Sequence, residues 1–467
     1  MIAMPLADVA EVVGGSVHDD PGVTVTGPAF VDSRLTEPGG LFVAVAGEHA
    51  DGHDFASSSV RAGAAAVLGS RPTGVPTVVV ADVAAALAAL ARHVLSSLPR
   101  IRVVAVTGSQ GKTTTKDLLT PLLGRLGKTV ATVGSFNNEL GLPLTVLRVE
   151  PRTDYLLLEM GARGRGHLRE LCGIAPPHVS VVLNVGKAHL GEFGSREAIA
   201  QAKGEIVEAL PADGTAVLNL DDPLVSAMTA RTSAAACMFG TSPRAEVRVT
   251  DLTADDTGRS SFRLHAAGRT AWVRLQLVGQ HHALNAAAAA AAALTLGLSL
   301  EEVAQVLSAT PAASRWRMEV RERGDGLTLI NDAYNANPES MAAALTTLAT
   351  IGRRAGRRTV AVLGEMCELG ESSETEHAAV GTLSVRLGID RVLVVGEAAR
   401  QTEAGARAAG AAEGACVVVP DRRAAVAWLE RHLAPTDVVL VKASRAAGLE
   451  KVADALLSEA SAPGSAG

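Results

Sequence analysis

The most constraining feature of this sequence is residues 103–126, VVAVTGSQGKTTTKDLLTPLLGRL. A valine-rich run ends at Thr107, and a glycine-bounded turn separates it from Lys112, three threonines and an amphipathic segment. This order predicts a β-strand, a phosphate-binding loop and an α-helix. The first N–H groups of a helix have no partner within it and lie at the positive end of its dipole, so such a loop attracts anions. The stretch therefore predicts an α/β fold built around a phosphate site.

The residues of this loop have separate expected roles. Gly108 and Gly111 let the backbone approach phosphates without a Cβ in the way. Lys112 is expected to place a point charge near the β- and γ-phosphates, and the Thr113 hydroxyl to bind Mg²⁺. The spacing departs from the common GxxxxGKS/T pattern, and the alternative is an ordinary turn with an exposed lysine.

Composition sets the broad class of protein. The 467 residues predict about two to four domains, and a content that is 48% hydrophobic but 3% aromatic predicts cores of alanine, valine and leucine. A net charge of -6 without a basic run argues against nucleic acid as a partner. Four scattered cysteines argue against structural zinc and disulfides and favour the cytoplasm. The chain starts without a basic signal region, and its most apolar stretch, residues 286–298, is too short for a bilayer, so no membrane insertion is expected.

Several predicted strands end in polar residues. Beyond the strand at Thr107, strands are predicted at 129–133, 155–159 and 179–184, and the last two end at Glu159 and Asn184. In an open parallel sheet, ligands bind beyond the carboxyl ends of the strands, so these residues predict one site. Asn137, Asn138 and His189 follow the same strand ends. Glu159 suits Mg²⁺ beside phosphates, with a cap or surface carboxylate as the alternative, while a histidine such as His189 is by itself more often packed or solvated.

Other segments add expectations. Residues 245–277 predict a small antiparallel insertion, and residues 314–467 a second doubly wound α/β domain. Gly204, inside a predicted helix at 196–210, indicates close packing beside Lys203. Pro121 is expected to kink or weaken the helix after the phosphate loop. Asn285 suits either an adenine edge or a helix start, and Arg34, beside Ser33, reads on its own as a solvated arginine.

The chain resembles the Mur ligases, the ATP-dependent amide-forming enzymes of peptidoglycan precursor synthesis. The resemblance covers nearly the whole chain. The motifs that support it are Asp32-Ser33-Arg34, residues 41–55, TGSQGKTTTK, FNNELGLP, LEMGARGRGH, AHLGEFGS, AKGEI, NDAYNANPESM, GEMCELG and VKASR. It is strongest to the branch that joins D-alanyl-D-alanine to UDP-N-acetylmuramoyl-tripeptide, because the DAYNANP motif is present. The relative that adds the third residue of the peptide usually carries a DYAHTPD-like sequence and a DNPR motif, and this sequence contains neither. Ala443 departs from the family, which usually has glycine there.

The resemblance implies an α/β fold of three domains. Residues 1–99 would form a small α/β domain that binds the UDP-muramoyl substrate, and residues 100–313 a central P-loop ATPase domain with a parallel sheet and a small β insertion. Residues 314–467 would form a C-terminal Rossmann-like domain. A monomer is expected.

The resemblance also implies roles for individual residues. The ATP phosphates would contact Gly108, Ser109, Gln110, Gly111, Lys112, Thr113 and Thr114. One Mg²⁺ would bind Thr113 and Glu159, and a second would bind His189 and a carbamylated Lys203. The catalytic residues would be Lys112, Glu159, His189 and Lys203. The nucleotide would also contact Asn285, Arg317 and Asp332. Ser33, Arg34, Asn137 and Asn138 would face the UDP-linked substrate, and the incoming dipeptide would lie near Tyr334, Asn335 and Asn337.

The implied reaction begins with attack of the tripeptide carboxylate on the γ-phosphate of ATP. Lys112 and the metal ions would offset the repulsion between the two anions. The amine of the dipeptide then attacks the acyl phosphate, which domain closure would protect from water. The alternatives are another Mur-superfamily ligase that adds a single amino acid, a folylpolyglutamate or cyanophycin synthetase, and a P-loop ATPase or binding module without ligation.

Overall fold

The structure is a computed structural model that describes residues 1–47, 50–187 and 190–458. Within these ranges the strands form one two-stranded sheet and three larger sheets. The three larger sheets lie at residues 16–79, 102–278 and 319–442, so each falls inside one of the segments predicted to be a domain. The boundaries at 99/100 and 313/314 themselves stay predictions.

The elements of the N-terminal segment are β1 (Met4–Pro5), α1 (Leu6–Val13), β2 (Ser16–His18), β3 (Thr24–Val25), β4 (Ala29–Phe30), β5 (Leu41–Val43), α2 (Ala56–Arg61), β6 (Ala66–Gly69), β7 (Thr77–Val79) and α3 (Val83–Ser96). They form a mainly parallel sheet in the order β2-β7-β6-β5-β4, with β2 antiparallel at one edge, and β1 pairs with β3 separately. Residues 23–30 form two short strands and not one, because the amides of Thr26 and Gly27 both donate to the carbonyl of Gly39.

The elements of the central segment are β8 (Arg102–Thr107), α4 (Lys112–Leu126), β9 (Thr129–Ala131), α5 (Gly141–Val146), β10 (Tyr155–Glu159), α6 (His167–Ile174), β11 (Val179–Val182), α7 (Leu190–Phe193), α8 (Arg196–Glu208), β12 (Thr215–Asn219), α9 (Pro223–Ser226), β13 (Ala235–Gly240), β14 (Val247–Ala254), β15 (Arg259–Ala266), β16 (Arg269–Val278), α10 (His282–Thr295) and α11 (Leu300–Ala309). Its strands form a sheet in the order β16-β15-β14-β13-β12-β11-β8-β10-β9, parallel from β9 to β14. Strand β8 lies between β11 and β10, so the predicted phosphate loop leaves the middle of the sheet.

Four details of this segment can be compared with the sequence. The predicted antiparallel insertion is present as β14–β16, and it extends the central sheet through the β13–β14 pair. The FNNELGLP motif, residues 136–143, is a loop only in its first part, because α5 begins at Gly141. Helix α4 continues without a break through Pro121, so the predicted weakening does not interrupt it. The alanines at 286–293 are fully buried in α10, where their small side chains pack against α4 and the sheet.

The elements of the C-terminal segment are β17 (Glu319–Glu322), β18 (Thr328–Asn331), α12 (Pro338–Ala355), β19 (Thr359–Leu363), α13 (Ser373–Arg386), β20 (Arg391–Val395), α14 (Gln401–Ala408), β21 (Cys416–Val419), α15 (Arg422–His432), β22 (Val438–Lys442) and α16 (Glu450–Ser458). Its strands form a doubly wound sheet in the order β17-β18-β22-β19-β20-β21, parallel except for β17. β22 is buried along its whole length, as a central parallel strand covered on both faces requires.

The segments share their cores unequally. One hydrophobic cluster runs from the N-terminal sheet and α3 into β8, β10, α5, α6 and α8 of the central segment. The C-terminal sheet has clusters on its two faces, one of which includes Val278 at the end of β16. Among the helices in the described ranges, none combines the length and the hydropathy needed to cross a membrane.

Candidate active site

The phosphate loop adopts the geometry that its sequence predicts. Gly111 precedes α4 with a φ of 82°, and no side chain caps the helix, so the first-turn N–H groups are left for a ligand. A Cβ on Gly111 would lie 2.4 Å from Oδ1 of Asn285, at the start of α10. Glycine is therefore required both by the backbone conformation and by the close approach of a second element.

Lys112 lies over this loop. Its Nζ donates to the carbonyl oxygen of Gly108 at 2.8 Å, so the ammonium is held at the loop that would receive phosphates. Burial lowers the pKa of Lys112, the carboxylate of Glu159 raises it, and the guanidinium of Arg317 lowers it again. The loop is also tied to the next strand end, because the Gln110 amide donates to Oδ1 of Asn184 at 3.0 Å.

Glu159 lies at the carboxyl end of β10 and is only 1% exposed. Its Oε2 accepts the Thr113 hydroxyl at 2.7 Å, and its Oε1 accepts Nδ2 of Asn137 at 2.7 Å. A hydroxyl and a carboxylate beside a phosphate loop are the oxygen donors that Mg²⁺ uses with nucleotides, so this pair fits a magnesium ion. The cap and surface alternatives for Glu159 are excluded by its burial and its partners.

Lys203 is brought to the same place by α8. It is 3% exposed and lines the cavity that contains Lys112 and Glu159. Burial, reinforced by the charge of Lys112, lowers the pKa of Lys203 well below its usual value. The close packing that Gly204 predicted is with Arg231, since a Cβ on Gly204 would lie 1.9 Å from its Nη1. Arg231 in turn donates to the carbonyl oxygens of Ala200 and Gln201 in α8.

The C-terminal segment supplies the opposite wall. Arg317 lies 4.1 Å from the ring centre of Tyr334, and the Tyr334 hydroxyl contacts the Ser135 hydroxyl of the central segment. Asp332 accepts the Met318 amide at 2.9 Å and the buried ammonium of Lys442 at 2.6 Å. The C-terminal segment thus presents an arginine that precedes β17, and a carboxylate and a phenol from the loop after β18, to the phosphate loop.

Together these residues line one cavity of about 320 Å³. Of the predicted site residues, it contains Ser109, Gln110, Gly111, Lys112, Thr113, Thr114, Asn137, Asn138, Glu159, Lys203, Asn285, Arg317, Asp332, Tyr334, Asn335 and Asn337. Gly108 belongs to the same loop through its bond from Lys112. Asn137 binds Glu159, and Asn138 accepts the Gly141 amide at the start of α5, so both asparagines also have structural partners.

Three predicted residues lie elsewhere or outside the description. Ser33 and Arg34 occupy a short 3₁₀ helix, Ser33–Leu35, in the N-terminal segment and do not line the cavity. Arg34 pairs with Asp32 at 2.6 Å, and its side chain is 86% exposed. His189, predicted as a metal ligand and catalytic residue, lies outside the described residues. Among the residues that are described, no group of three or more His, Cys, Asp or Glu side chains forms a metal cluster.

Sequence reasoning missed several residues of the cavity. His282, next to Asn285 in α10, is buried, its Nδ1 lies 3.2 Å from Nδ2 of Asn285, and its Nε2 has no hydrogen-bond partner. Burial lowers the pKa of His282 well below its usual value, which favours the neutral ring. Ser135 directly precedes the FNN motif, and Lys442 lies in the VKASR motif at the end of a strand, but neither was given a role at the site, because only the fold brings them to the cavity.

Comparison with known proteins places this site in a family. Three family models match the chain: "Mur ligase family, catalytic domain" over residues 30–104, "Mur ligase middle domain" over 106–293, and "Mur ligase, glutamate ligase domain" over 316–445. This chain belongs to the Mur ligase family.

Individual members of the family are similar over nearly the whole chain. A UDP-N-acetylmuramoyl-tripeptide--D-alanyl-D-alanine ligase of Mycobacterium tuberculosis is 48% identical over 98% of each chain. A crystal structure of MurF from Acinetobacter baumannii superposes with a TM-score of 0.86, at 31% identity, over 98% of this chain and 99% of that one. MurF from Thermotoga maritima, solved in complex with ADP, has a TM-score of 0.79 at 32% identity over 93% of this chain and 98% of that one. The resemblance found in the sequence motifs is thereby confirmed.

Proposed function

We propose that this chain is an ATP-dependent ligase that joins D-alanyl-D-alanine to UDP-N-acetylmuramoyl-tripeptide in peptidoglycan precursor synthesis. The observation that carries the proposal is the single cavity in which the phosphate loop, Glu159 and Lys203 face Arg317 and Tyr334 of the C-terminal segment. The name and the near-complete coverage of the Mycobacterium tuberculosis relative support this substrate pair. A cytoplasmic location and a monomeric state stay predictions.

ATP would bind with its phosphates on residues 108–114. The uncapped N–H groups of α4 suit the phosphate oxygens, and the Lys112 ammonium is already at the loop. Asn285, Arg317 and Asp332 would contact the rest of the nucleotide, the last two from the C-terminal wall. The ADP complex of the Thermotoga maritima protein supports a nucleotide site in this branch of the family.

Mg²⁺ would be held by Thr113 and Glu159, whose oxygens lie 2.7 Å apart. When bound, the ion adds positive charge next to the phosphates and to the reacting carboxylate. We place a second ion near Lys203 and His189, as the family resemblance implies. Few protein ligands are needed, since Mg²⁺ in phosphate sites keeps waters and takes oxygens from the substrate.

Lys203 would act as its carbamate. A neutral amine adds CO₂ to give N-carboxylysine and releases one proton, so the modification requires an amine that is unprotonated near neutral pH. Burial of Lys203 beside Lys112 favours that neutral form and lowers its pKa. Arginine could not take its place, because a guanidinium does not lose its proton in proteins. The product is an anion that supplies oxygen ligands where the bare amine supplies none.

The chemistry of the proposed reaction places two anions together. The terminal carboxylate of the tripeptide attacks the γ-phosphorus of ATP, ADP leaves, and an acyl phosphate remains. Lys112 would stabilise the charge on the transferring phosphoryl group, and Asn137 fixes the Glu159 carboxylate through its side-chain amide. The amine of D-alanyl-D-alanine then attacks the acyl carbon, and the tetrahedral intermediate releases phosphate and loses a proton to give the amide.

The two substrates would approach from different sides. Ser33 and Arg34 lie outside the cavity in the N-terminal segment, so we assign them to the distant UDP end of the muramoyl substrate, with Asn137 and Asn138 closer to the reacting end. The exposed Arg34 guanidinium suits a diphosphate. Tyr334, Asn335 and Asn337 lie on the C-terminal wall and would contact the dipeptide. With these roles, residues 1–99, 100–313 and 314–467 would serve as the muramoyl, ATP and closing domains.

The test is phosphate release with ATP, Mg²⁺ and UDP-N-acetylmuramoyl-tripeptide, with and without D-alanyl-D-alanine. Release that requires the dipeptide, together with the pentapeptide product by mass, is the expected result. Release that prefers a single amino acid would move the chain to another step of the family. Release that is indifferent to every acceptor would contradict ligation and leave a P-loop ATPase.

A further inference from the structure

The loop after β11 holds the phosphate loop on one side. We call residues 184–187 the bridging loop. The carbonyl of Asn184 accepts the Ser109 amide at 3.1 Å, and its side chain exchanges two bonds with the backbone of Gln110, at 3.0 and 3.2 Å. The Gly186 amide donates to the Ser109 hydroxyl at 2.9 Å. The bridging loop is therefore fixed to the loop that would receive ATP.

The same loop contacts the C-terminal segment on its other side. The backbone amide of Lys187 donates to Oε1 of Glu339, in the first turn of α12, at 2.8 Å. The Lys187 ammonium donates to Oε1 of Glu376 in α13 at 2.6 Å. Gly186 permits this approach, since a Cβ there would lie 2.9 Å from the Glu339 carboxyl carbon. Four residues thus connect the phosphate loop to two helices of the other segment.

The two partners of the ion pair differ in exposure. The Glu376 side chain is 11% exposed, while the Lys187 side chain is 42% exposed. A carboxylate removed from water is costly without a cation, so Lys187 compensates a charge that lies mostly inside the interface. Separation of the segments would break the pair. The pair therefore favours the arrangement in which both walls of the cavity are together.

We propose that Lys187 is a positioning residue that holds the C-terminal segment against the phosphate loop, with Glu376 as its charge partner and Glu339 binding its backbone amide. We call these two contacts of Lys187 the clasp. The proposal rests on the ligase function above. Because Ser109 and Gln110 are bonded to the bridging loop, nucleotide that orders the phosphate loop also fixes the position of Lys187. The clasp would keep water from the acyl phosphate during the interval before the amine attacks.

The test compares Lys187→Met with Lys128→Met. Lys128 pairs with Glu150 inside the central segment at 2.5 Å, so the control removes a lysine ion pair that does not cross the cavity. Loss of the clasp should lower the ligation rate about three- to tenfold, as expected for an ion pair with one buried partner. It should also lower the amide formed per phosphate released, because opened enzyme loses acyl phosphate to water. Glu376→Gln should have the same two effects.

A charge exchange separates a clasp from a general loss of structure. The double variant Lys187→Glu with Glu376→Lys should recover most of the amide-to-phosphate ratio that either single variant loses. Equal ratios and rates in Lys187→Met and Lys128→Met would overturn the proposal. If the wild type forms no amide at all, the proposed function fails instead, and the clasp is then judged by small-angle scattering with a non-hydrolysable ATP analogue. There, wild type should become more compact than Lys187→Met, and identical scattering would reject the clasp.

Discussion

The two walls of the cavity are built in different ways. The central wall comes from the ends of adjacent parallel strands, and its side chains bind one another within a single segment, as Thr113, Asn137 and Glu159 do. The C-terminal wall meets it through polar contacts between segments, including Ser135 with Tyr334 and Asp117 with Ser314. The contacts within the central wall thus do not need the C-terminal segment, whereas the C-terminal wall reaches the site only when the two segments are together.

The C-terminal wall also depends on an unusual backbone conformation. Trp316 and Met318 have positive φ values, 58° and 49°, on either side of Arg317. Such conformations cost about 1–3 kcal/mol each and persist only where their surroundings hold them. Glu319 accepts the Trp316 amide and Asp332 accepts the Met318 amide, both within the C-terminal segment. Arg317 is therefore presented by strained backbone, and the two walls should respond differently to substitution.

The largest effect should come from the central wall. Lys112→Met removes the ammonium that lies at the phosphate loop, while the loop keeps its other contacts. Loss of one preorganised electrostatic group lowers kcat by about 10²–10³-fold, and we expect at least that here. Steady-state ligation rates measure the effect, with Lys128→Met as the control. A variant that retains more than a tenth of the wild-type kcat would contradict the role given to Lys112.

Lys203 tests the central wall through pH. Lys203→Met should lower ligation about 100-fold or more, and bicarbonate should restore activity to CO₂-depleted wild type but not to the variant. Because burial lowers the pKa of folded Lys203, the unfolded chain binds more protons between that pKa and the usual value of 10.5, so stability rises with pH in this window.

The variant lacks that dependence on pH. In CO₂-free buffer at pH 7, Lys203→Met should therefore unfold at a higher temperature than wild type, and the difference should shrink as the pH rises toward 10.5. Thermal unfolding across this range measures it, with the exposed Lys451→Met as the control. A difference that is constant with pH would show that Lys203 is charged in the folded protein.

The next effect concerns the C-terminal wall. Asp332→Asn keeps an acceptor for the Met318 amide but leaves the buried Lys442 ammonium without its carboxylate. Breaking one partner of a buried ion pair costs about 3–5 kcal/mol. The KM for ATP should also rise, because the proposed function gives the Asp332 carboxylate a direct contact with the nucleotide. Chemical denaturation and ATP titration measure the two results. The pair Asp332→Asn with Lys442→Met should recover stability without recovering the KM, and recovery of both would place Asp332 outside the nucleotide site.

Sequence reasoning succeeded where local pattern decides structure. Residues 103–126 specified strand, loop and helix, and β10 was predicted with the bounds Tyr155–Glu159 that the structure has. The three-residue strands β2 and β7 were not predicted, because they pair with each other from opposite ends of the N-terminal segment. The six-residue strand β13, between β12 and β14, was not predicted either. The interruption at Thr26 and Gly27 likewise depends on Gly39, which a local pattern does not contain.

The residues of the site likewise differ in how far the sequence could predict them. Parallel strand ends predicted the convergence of Glu159 and the phosphate loop from topology alone. Family resemblance was needed to bring Arg317 and Tyr334 to the same cavity, since they arrive from another sheet. The contact of Asn285 with Gly111 and the burial of His282 follow from the packing of α10 on α4, which no spacing in the sequence records.

The smallest expected effect is at the contact between the walls themselves. Tyr334→Phe removes the phenol hydroxyl that contacts the Ser135 hydroxyl but keeps the aromatic ring next to Arg317. A single hydrogen bond contributes about 0.5–1.5 kcal/mol, so the KM for D-alanyl-D-alanine should rise about two- to tenfold with little change in kcat. Ser135→Ala should match it, and the double variant should add nothing further, because both changes remove one interaction. Additive losses in the double variant would mean that the two hydroxyls act separately, and that the C-terminal wall reaches the central one without this bond.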